Sequence, residues 1–135
     1  MTITLYTDGA CSGSNGGWAF VLVATSESGN VIKQVERSGA VPDTTNNRME
    51  MIPVIEGLNA ITRACRVHIV SDSLYVINTM TQGWKRKKNH DLWQQMDAAV
   101  SRHIVTWEHV RGHQGHIYNE RCDELAVAAR KELVS

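Results

Sequence analysis

Two aspartates stand directly after runs of residues that are typical of β-strands. Asp8 follows residues 3–7, in which apolar side chains alternate with threonines, and Asp72 follows residues 66–71, which are rich in β-branched side chains. Such runs predict strands, and parallel strands present their carboxyl ends at one edge of a sheet. We therefore expect the two carboxylates to share a site at this edge. Taken alone, Asp8 is more typical of a turn cap, because a glycine-rich turn is predicted over residues 9–13.

Two further acidic residues are predicted to lie near this edge. Glu50 falls in the first turns of the helix predicted between the two strands, and Asp123 falls in the first turn or two of the last predicted helix. Carboxylates a few Å apart cannot all stay ionised without cations. Their combined charge matches two divalent cations, and a set of oxygen ligands favours Mg²⁺ or Mn²⁺. The pattern predicts a two-metal centre, with ions about 3.5–4 Å apart, that acts on a phosphodiester.

Basic residues are concentrated in one stretch of an otherwise neutral chain. The formal net charge is zero, with 14 basic and 14 acidic residues, which argues mildly against a nucleic-acid ligand. However, residues 85–88 form an uninterrupted cationic run, here called the basic segment, between Trp84 and Trp93. Cations and aromatic rings together suit phosphates and bases. The candidate contacts are Trp84, Lys85, Lys87 and Lys88, and the alternative is a solvated loop.

The elements that must position these residues follow from hydrophobic periodicity and turn signals. Strands are predicted at residues 3–8, 18–23 and 31–37, as an antiparallel meander, and then at 66–72 and 104–107. Helices are predicted to begin at the capping residues 44–47, after Ser73, after a cap at Asp91, and near Tyr118. Alternation of strand and helix after the meander implies parallel pairing. Pro53 lies inside the first helical pattern; we expect the helix to bend there, and the alternative leaves Glu50 in a loop.

Length and composition indicate one cytosolic domain over residues 1–135. The hydrophobic fraction is 42% and the charged fraction 21%, which is typical of a globular protein. We predict no membrane span and no signal peptide, and we expect a cytoplasmic monomer. Three widely separated cysteines are expected to be reduced thiols.

Four segments of the chain resemble the signature blocks of type 1 ribonuclease H. They match in order and span nearly the whole chain, and each contains an acidic residue. The segments are YTDGAC at residues 6–11, TTNNRME at 44–50, VSDS at 70–73, and RGHQGH at 111–116 with NERCDELA at 119–126. The resemblance implies the ribonuclease H-like α/β fold, a five-stranded mixed sheet of order 3-2-1-4-5 with helices on both faces.

The resemblance also implies an activity. Family members hydrolyse the RNA strand of an RNA–DNA hybrid and leave 5′-phosphate and 3′-hydroxyl ends, using two Mg²⁺ ions for which Mn²⁺ can substitute. Asp8, Glu50, Asp72 and Asp123 match the metal-binding carboxylates. His113 matches a histidine that assists proton transfer or product release, a role that suits an imidazole titrating near neutral pH. The matching substrate contacts are Cys11, Thr45, Asn46, Asn47 and Asn119.

The chain departs from the family pattern in its basic region. Family members often carry a longer basic insertion, which is reduced here to residues 83–89, and Leu74 stands where a polar substrate contact is sometimes found. We therefore expect weak hybrid binding with a steep salt dependence, unless a helper protein supplies affinity.

Three alternatives remain open from the sequence. One is a zinc site formed by His109, His113, His116 and Cys122. Another is a non-catalytic nucleic-acid-binding module on the same fold, since fold alone does not establish function. The last is a two-metal nuclease or recombinase of related architecture that cuts DNA.

Overall fold

The computed structural model describes residues 1–111 and 116–133, so that the predicted His113 lies outside the described residues. Five strands and four helices are present in this part of the chain. In chain order they are β1 (Thr2–Ser12), β2 (Asn15–Thr25), β3 (Val31–Val41), α1 (Asn46–Ala60), β4 (Arg66–Ser71), α2 (Leu74–Gln82), α3 (His90–Ser101), β5 (Ile104–His109) and α4 (Ile117–Lys131). None of the described helices is long and apolar enough to cross a membrane.

The strands form one mixed sheet of order β3-β2-β1-β4-β5. The first three strands are antiparallel neighbours, whereas β4 runs parallel to both β1 and β5. The predicted order and strand directions are therefore confirmed. Because β1 and β4 are parallel neighbours, residues near the carboxyl end of their paired region lie at the same edge of the sheet.

The first strand is longer than the sequence predicted. It continues to Ser12 and pairs with β2 up to Ser12↔Asn15, so residues 9–12 are strand and not the predicted glycine-rich turn. The turn lies at residues 13–14, where Gly13 adopts a positive φ of 62°. Parallel pairing with β4 ends earlier, at Tyr6↔Val70. Asp8 therefore lies inside a strand, just beyond the region that β1 shares with β4.

Helix α1 carries Glu50 in its second turn. Thr45 is the N-cap, and its hydroxyl accepts a hydrogen bond from the Arg48 amide at 3.3 Å. The helix passes through Pro53 without ending, so the alternative that leaves Glu50 in a loop is wrong. Since proline has no amide hydrogen, the Met49 carbonyl lacks its usual partner one turn later.

The helices cover both faces of the sheet, as predicted. On one face, Leu5, Phe20 and Ile69 pack with side chains of α1 and α3. On the other face, Ala19 and Val21 of β2 pack against α4. Two such layers bury the apolar surface of a sheet between helices.

The start of α3 differs from the prediction that Asp91 is its cap. The N-cap is Asn89, which has a positive φ of 60° and makes no side-chain capping bond. Asparagine tolerates this left-handed conformation better than most residues. Asp91 lies in the first turn instead, where its carboxylate receives two hydrogen bonds from Arg48, at 3.0 and 2.9 Å.

Candidate active site

Three carboxylates from three different elements meet at the carboxyl edge of the paired β1 and β4 strands. Asp8 comes from β1, Glu50 from α1, and Asp72 from the position directly after β4. One oxygen from each lies within 4.8 Å of the others. Asp8 and Glu50 are only 3% and 6% exposed, respectively. In the described ranges this is the only group of three or more potential metal ligands.

The amide of Gly9 links two of these carboxylates. Its N–H lies 2.9 Å from Asp8 Oδ1 and 2.6 Å from Glu50 Oε1, so it donates to both side chains. A Cβ at position 9 would lie 2.5 Å from the Met49 carbonyl oxygen and 2.8 Å from Glu50 Oε1. Only glycine therefore allows α1 to approach β1 closely enough to bring Glu50 beside Asp8.

The protonation of Glu50 reflects this crowding. Burial raises the pKa of Glu50 well above its usual value, and the negative charges of Asp72 and Asp8 raise it further. Without a cation, burial and these two negative charges disfavour ionisation of Glu50. A buried group of hard oxygen donors that resists full ionisation fits a divalent cation such as Mg²⁺ or Mn²⁺.

Asp123 belongs to a different part of the site. It lies in the second turn of α4, is partly buried, and is not a member of the three-carboxylate group. The preceding residue, Cys122, donates its thiol to the Tyr6 carbonyl at 3.4 Å, which fixes this turn of α4 against β1. Asp8 follows Tyr6 by two residues in β1. The helix that carries Asp123 therefore packs beside the carboxylate group.

The helix also carries a buried amide. Asn119 is 2% exposed, and its Oδ1 has no hydrogen-bond partner among the described residues. A buried polar atom of this kind calls for an explanation, such as a bound group.

The zinc alternative gains no support from the described residues. His109 Nε2 contacts the Asp72 carbonyl oxygen at 3.2 Å. The Cys122 thiol is buried, and burial raises its pKa, which disfavours the thiolate that zinc requires. His109, His116 and Cys122 do not come together as a metal-binding group. His113, the fourth candidate, lies outside the described residues.

The carboxylates form the floor of an open cleft of about 360 Å³. Asn46 and Asn47, at the start of α1, line it. The start of α2 forms the other wall, with Ser73, Leu74 and Tyr75. Sequence reasoning missed Tyr75, because a tyrosine inside a short amphipathic helix is normally a core residue. Leu74 is 53% exposed, which leaves an apolar side chain at the cleft.

The other predicted substrate contacts are not among the described residues that line this cleft, and they lie in different settings. Thr45 is exposed and caps α1, and the Cys11 thiol donates to the Gly13 carbonyl at 3.3 Å. Trp84 is 49% exposed. Lys85, Lys87 and Lys88 are all exposed, and their contact with a substrate stays a prediction.

A family model for RNase H matches residues 1–131. The chain belongs to the ribonuclease H family. A ribonuclease H from Rhodopirellula baltica is 47% identical, with 98% of this chain and 92% of the relative covered. A second, from Chlorobaculum parvum, is 45% identical over 97% of each chain.

Solved structures agree with this family. LC9-RNase H1, a type 1 RNase H with the type 2 active-site motif, superposes with a TM-score of 0.83 at 33% identity, over 97% of this chain and 72% of that chain. LC11-RNase H1 in complex with an RNA/DNA hybrid gives a TM-score of 0.76 at 23% identity, over 99% of this chain and 100% of that one, which shows the shared fold.

The enzyme class predicted from the signature blocks is thereby confirmed. Ribonuclease H family members cleave the RNA strand of RNA–DNA hybrids with the help of a divalent metal ion, and the acidic cluster of this chain is consistent with that requirement.

Proposed function

We propose that residues 1–135 form one catalytic domain that hydrolyses the RNA strand of an RNA–DNA hybrid by a two-metal mechanism, leaving 5′-phosphate and 3′-hydroxyl ends. The single observation that carries this proposal is the meeting of Asp8, Glu50 and Asp72 within 4.8 Å at the floor of an open cleft. Because this cleft is open to solvent, a polymer backbone can reach the carboxylates, whereas an enclosed cavity would admit only a small molecule.

The residues that would hold the metal ions are Asp8, Glu50, Asp72 and Asp123. Two bound Mg²⁺ ions would supply Lewis-acid stabilisation of the attacking and leaving oxygens of the phosphodiester, and Mn²⁺ would substitute. The chain itself contributes the fixed geometry. The Gly9 amide orients the carboxylates of Asp8 and Glu50 at once. The close packing of α1 against β1 keeps Glu50 beside Asp8.

The substrate is oriented by residues around the cleft. Asn46 and Asn47 would contact the hybrid in its minor groove, where the 2′-hydroxyl groups distinguish RNA from DNA. Thr45, Cys11 and Asn119 would contact the adjoining backbone, and His113 would assist proton transfer or product release. The exposed Trp84, Lys85, Lys87 and Lys88 would contact phosphates and bases beyond the cleft.

The cellular location, oligomeric state and partners of the enzyme are also part of the proposal. We expect a cytoplasmic monomer, with the three cysteines reduced. Because the basic segment is short, a helper protein that brings the enzyme to its substrate would raise the apparent affinity.

The experiment that tests this function is a cleavage assay on a hybrid labelled in the RNA strand, with Mg²⁺ and with Mn²⁺. Asp72→Asn should lower the rate by about 100-fold or more, because it removes a metal-binding charge with little change in shape. Asp123→Asn should also lower the rate. Glu124→Gln, at the next position of α4, is the matched control and should retain activity because Glu124 is exposed and pairs with Arg121.

Two outcomes would change the assignment. A folded protein that binds the hybrid without cutting it under either metal would indicate the non-catalytic binding module. Cleavage of an all-DNA duplex at a comparable rate would indicate a DNA nuclease of related architecture. Circular dichroism of metal-free Asp72→Asn checks its fold. If the variant is folded but inactive, the loss of activity comes from lost metal binding and not from misfolding.

A further inference from the structure

The arginine of the basic segment is bonded to the protein, although its side chain stays partly exposed. The two terminal nitrogens of Arg86 donate to the two carboxylate oxygens of Asp97 on α3, at 2.5 and 2.9 Å. Its guanidinium carbon lies 4.9 Å from the centre of the Trp93 ring, which is buried, and Nη2 lies 3.6 Å from Met80 Sδ. A planar guanidinium that is both bidentate and stacked has one favoured orientation, which a lysine could not reproduce.

A second attachment lies directly after the basic segment. Asn89 donates its side-chain amide to the Tyr75 hydroxyl at 3.1 Å and accepts a hydrogen bond from Arg48 at 3.2 Å. The same tyrosine hydroxyl accepts a hydrogen bond from Trp93 Nε1 at 3.1 Å. Since Tyr75 lines the carboxylate cleft, Asn89 connects the end of the basic segment to the wall of that cleft.

The lysines are held between or beside these two attachments. Lys87 and Lys88 lie between Arg86 and Asn89, whose Cα atoms can be at most about 11 Å apart even in an extended chain. Lys85, Lys87 and Lys88 are exposed, and none makes an ion pair within the described part of the protein. The backbone that carries Lys87 and Lys88 is therefore attached at both ends, while the ammonium groups of all three lysines remain available for phosphates.

We propose that Arg86 and Asp97 are positioning residues for substrate binding: their ion pair, stacked on Trp93, holds the three lysines of the basic segment at the cleft, and Arg86 does not itself bind a phosphate. This inference rests on the proposed hybrid substrate. A segment that is ordered before binding loses less conformational entropy on binding, which compensates for its small number of cations.

Asp97→Asn tests the proposal, because two explanations predict opposite results. The substitution removes a negative charge beside the lysines, so if only charge mattered the hybrid would bind more tightly. If Asp97 acts through Arg86, the segment loosens, and KM for the hybrid should rise about three- to tenfold, since each side chain that must be ordered on binding costs about that factor. The value of kcat should stay unchanged, because Asp97 contacts no carboxylate of the cleft.

Matched variants complete the test. Glu27→Gln makes the same charge change in the exposed turn between β2 and β3 and should leave KM unchanged. Arg86→Lys keeps the net charge but loses the bidentate, stacked geometry, and should raise KM as Asp97→Asn does. Lys87→Gln should also raise KM, but it should leave the order of the segment intact.

Amide hydrogen exchange over residues 84–89, in the absence of hybrid, separates these effects. Exchange should become faster in Asp97→Asn and Arg86→Lys, and should not change in Lys87→Gln and Glu27→Gln. A lower or unchanged KM in Asp97→Asn, or unchanged exchange in both positioning variants, would overturn the proposal. If the wild type neither binds nor cuts the hybrid, the proposed function fails and the lysines lose their substrate role, while exchange still decides whether Arg86 and Asp97 hold the segment.

Discussion

At the scale of single residues, Glu50 determines how the site behaves without metal. It is 6% exposed, it accepts a hydrogen bond from Gly9, and it faces two aspartates. Its pKa is raised, first by burial and then by the charges of Asp72 and Asp8. Ionisation of Glu50 in the metal-free protein is therefore unfavourable, and a bound cation would offset this cost.

The raised pKa predicts a pH-dependent stability. Since the folded protein binds the Glu50 proton more tightly than the unfolded chain, the related stabilisation is fully present below the usual pKa of about 4.5 and is lost as pH rises through the folded value. Glu50→Gln has no carboxyl group to ionise at this position, so it should not lose stability in this way as pH rises. At pH 7 the metal-free variant should be more stable than the wild type, because its neutral amide avoids the buried negative charge that Asp72 and Asp8 disfavour.

Urea unfolding of metal-free protein between pH 4 and pH 8 measures this effect. Glu56→Gln, on the exposed face of the same helix, is the matched control and should follow the wild-type pH dependence. Addition of Mg²⁺ should stabilise the wild type more than Glu50→Gln. Equal pH dependence of the wild type and Glu50→Gln would contradict the assigned environment of Glu50.

At the scale of secondary-structure elements, an ion pair connects α1 to α3. Arg48 donates to both carboxylate oxygens of Asp91 and also to Asn89, so the helix that carries Glu50 is tied to the start of α3. The hydrogen bonds from Arg48 lower the pKa of Asp91 to about 2. The contribution of this ion pair to the stability of the fold is therefore present above the usual pKa of Asp91 and is lost as pH falls through about 2.

This contact can be measured directly. In a ¹³C NMR titration of the side-chain carboxyls, Asp91 should titrate near pH 2 in the wild type, and Arg48→Gln should move its midpoint back towards 3.8. Lys85→Gln removes a neighbouring charge that is not bonded to Asp91 and is the control, for which the midpoint should stay low. A midpoint near 3.8 in the wild type would show that the two helices are not joined by this pair in solution.

The elements themselves were largely predictable, and the exceptions have physical reasons. Strand and helix patterns predicted the antiparallel meander, the parallel pairing and the edge at which Asp8 and Asp72 lie, because periodicity and the parallel connection constrain them, whereas the sheet order came from the family resemblance. The continuation of β1 beyond Asp8 was missed because glycine and alanine lack strand propensity, but pairing with β2 overrides this preference. The cap at Asn89 was missed because Asp91 is the better capping residue by type, but Arg48 uses its carboxylate.

The roles of the basic residues could not be read from the sequence either. A run of four cations does not show which of them faces the protein. Only the packing of α2 and α3 shows that Arg86 pairs with Asp97, while the lysines remain exposed.

At the scale of the whole molecule, charges of opposite sign lie side by side in a chain that has no net charge. The carboxylate cleft repels a polyanion until cations bind, and the basic segment attracts it. Long-range attraction from net charge is absent. Hybrid affinity should therefore depend on a few local phosphate contacts, and on the cations bound in the cleft.

The salt dependence of KM measures how many such contacts there are. At fixed free Mg²⁺, log KM should rise linearly with log[KCl], with a slope of about 0.9 or less for each phosphate contacted. Replacing Lys85, Lys87 and Lys88 with glutamine should raise KM at low salt and flatten the slope by about one unit per lost contact, while kcat at saturating hybrid stays close to the wild-type value. The matched control replaces Lys33, which lies on the exposed β3 strand at the far edge of the sheet, and should leave the slope unchanged. If the triple variant retains the wild-type slope, the basic segment does not contact phosphates, and the affinity of this short-looped enzyme must come from the residues lining the cleft or from another protein.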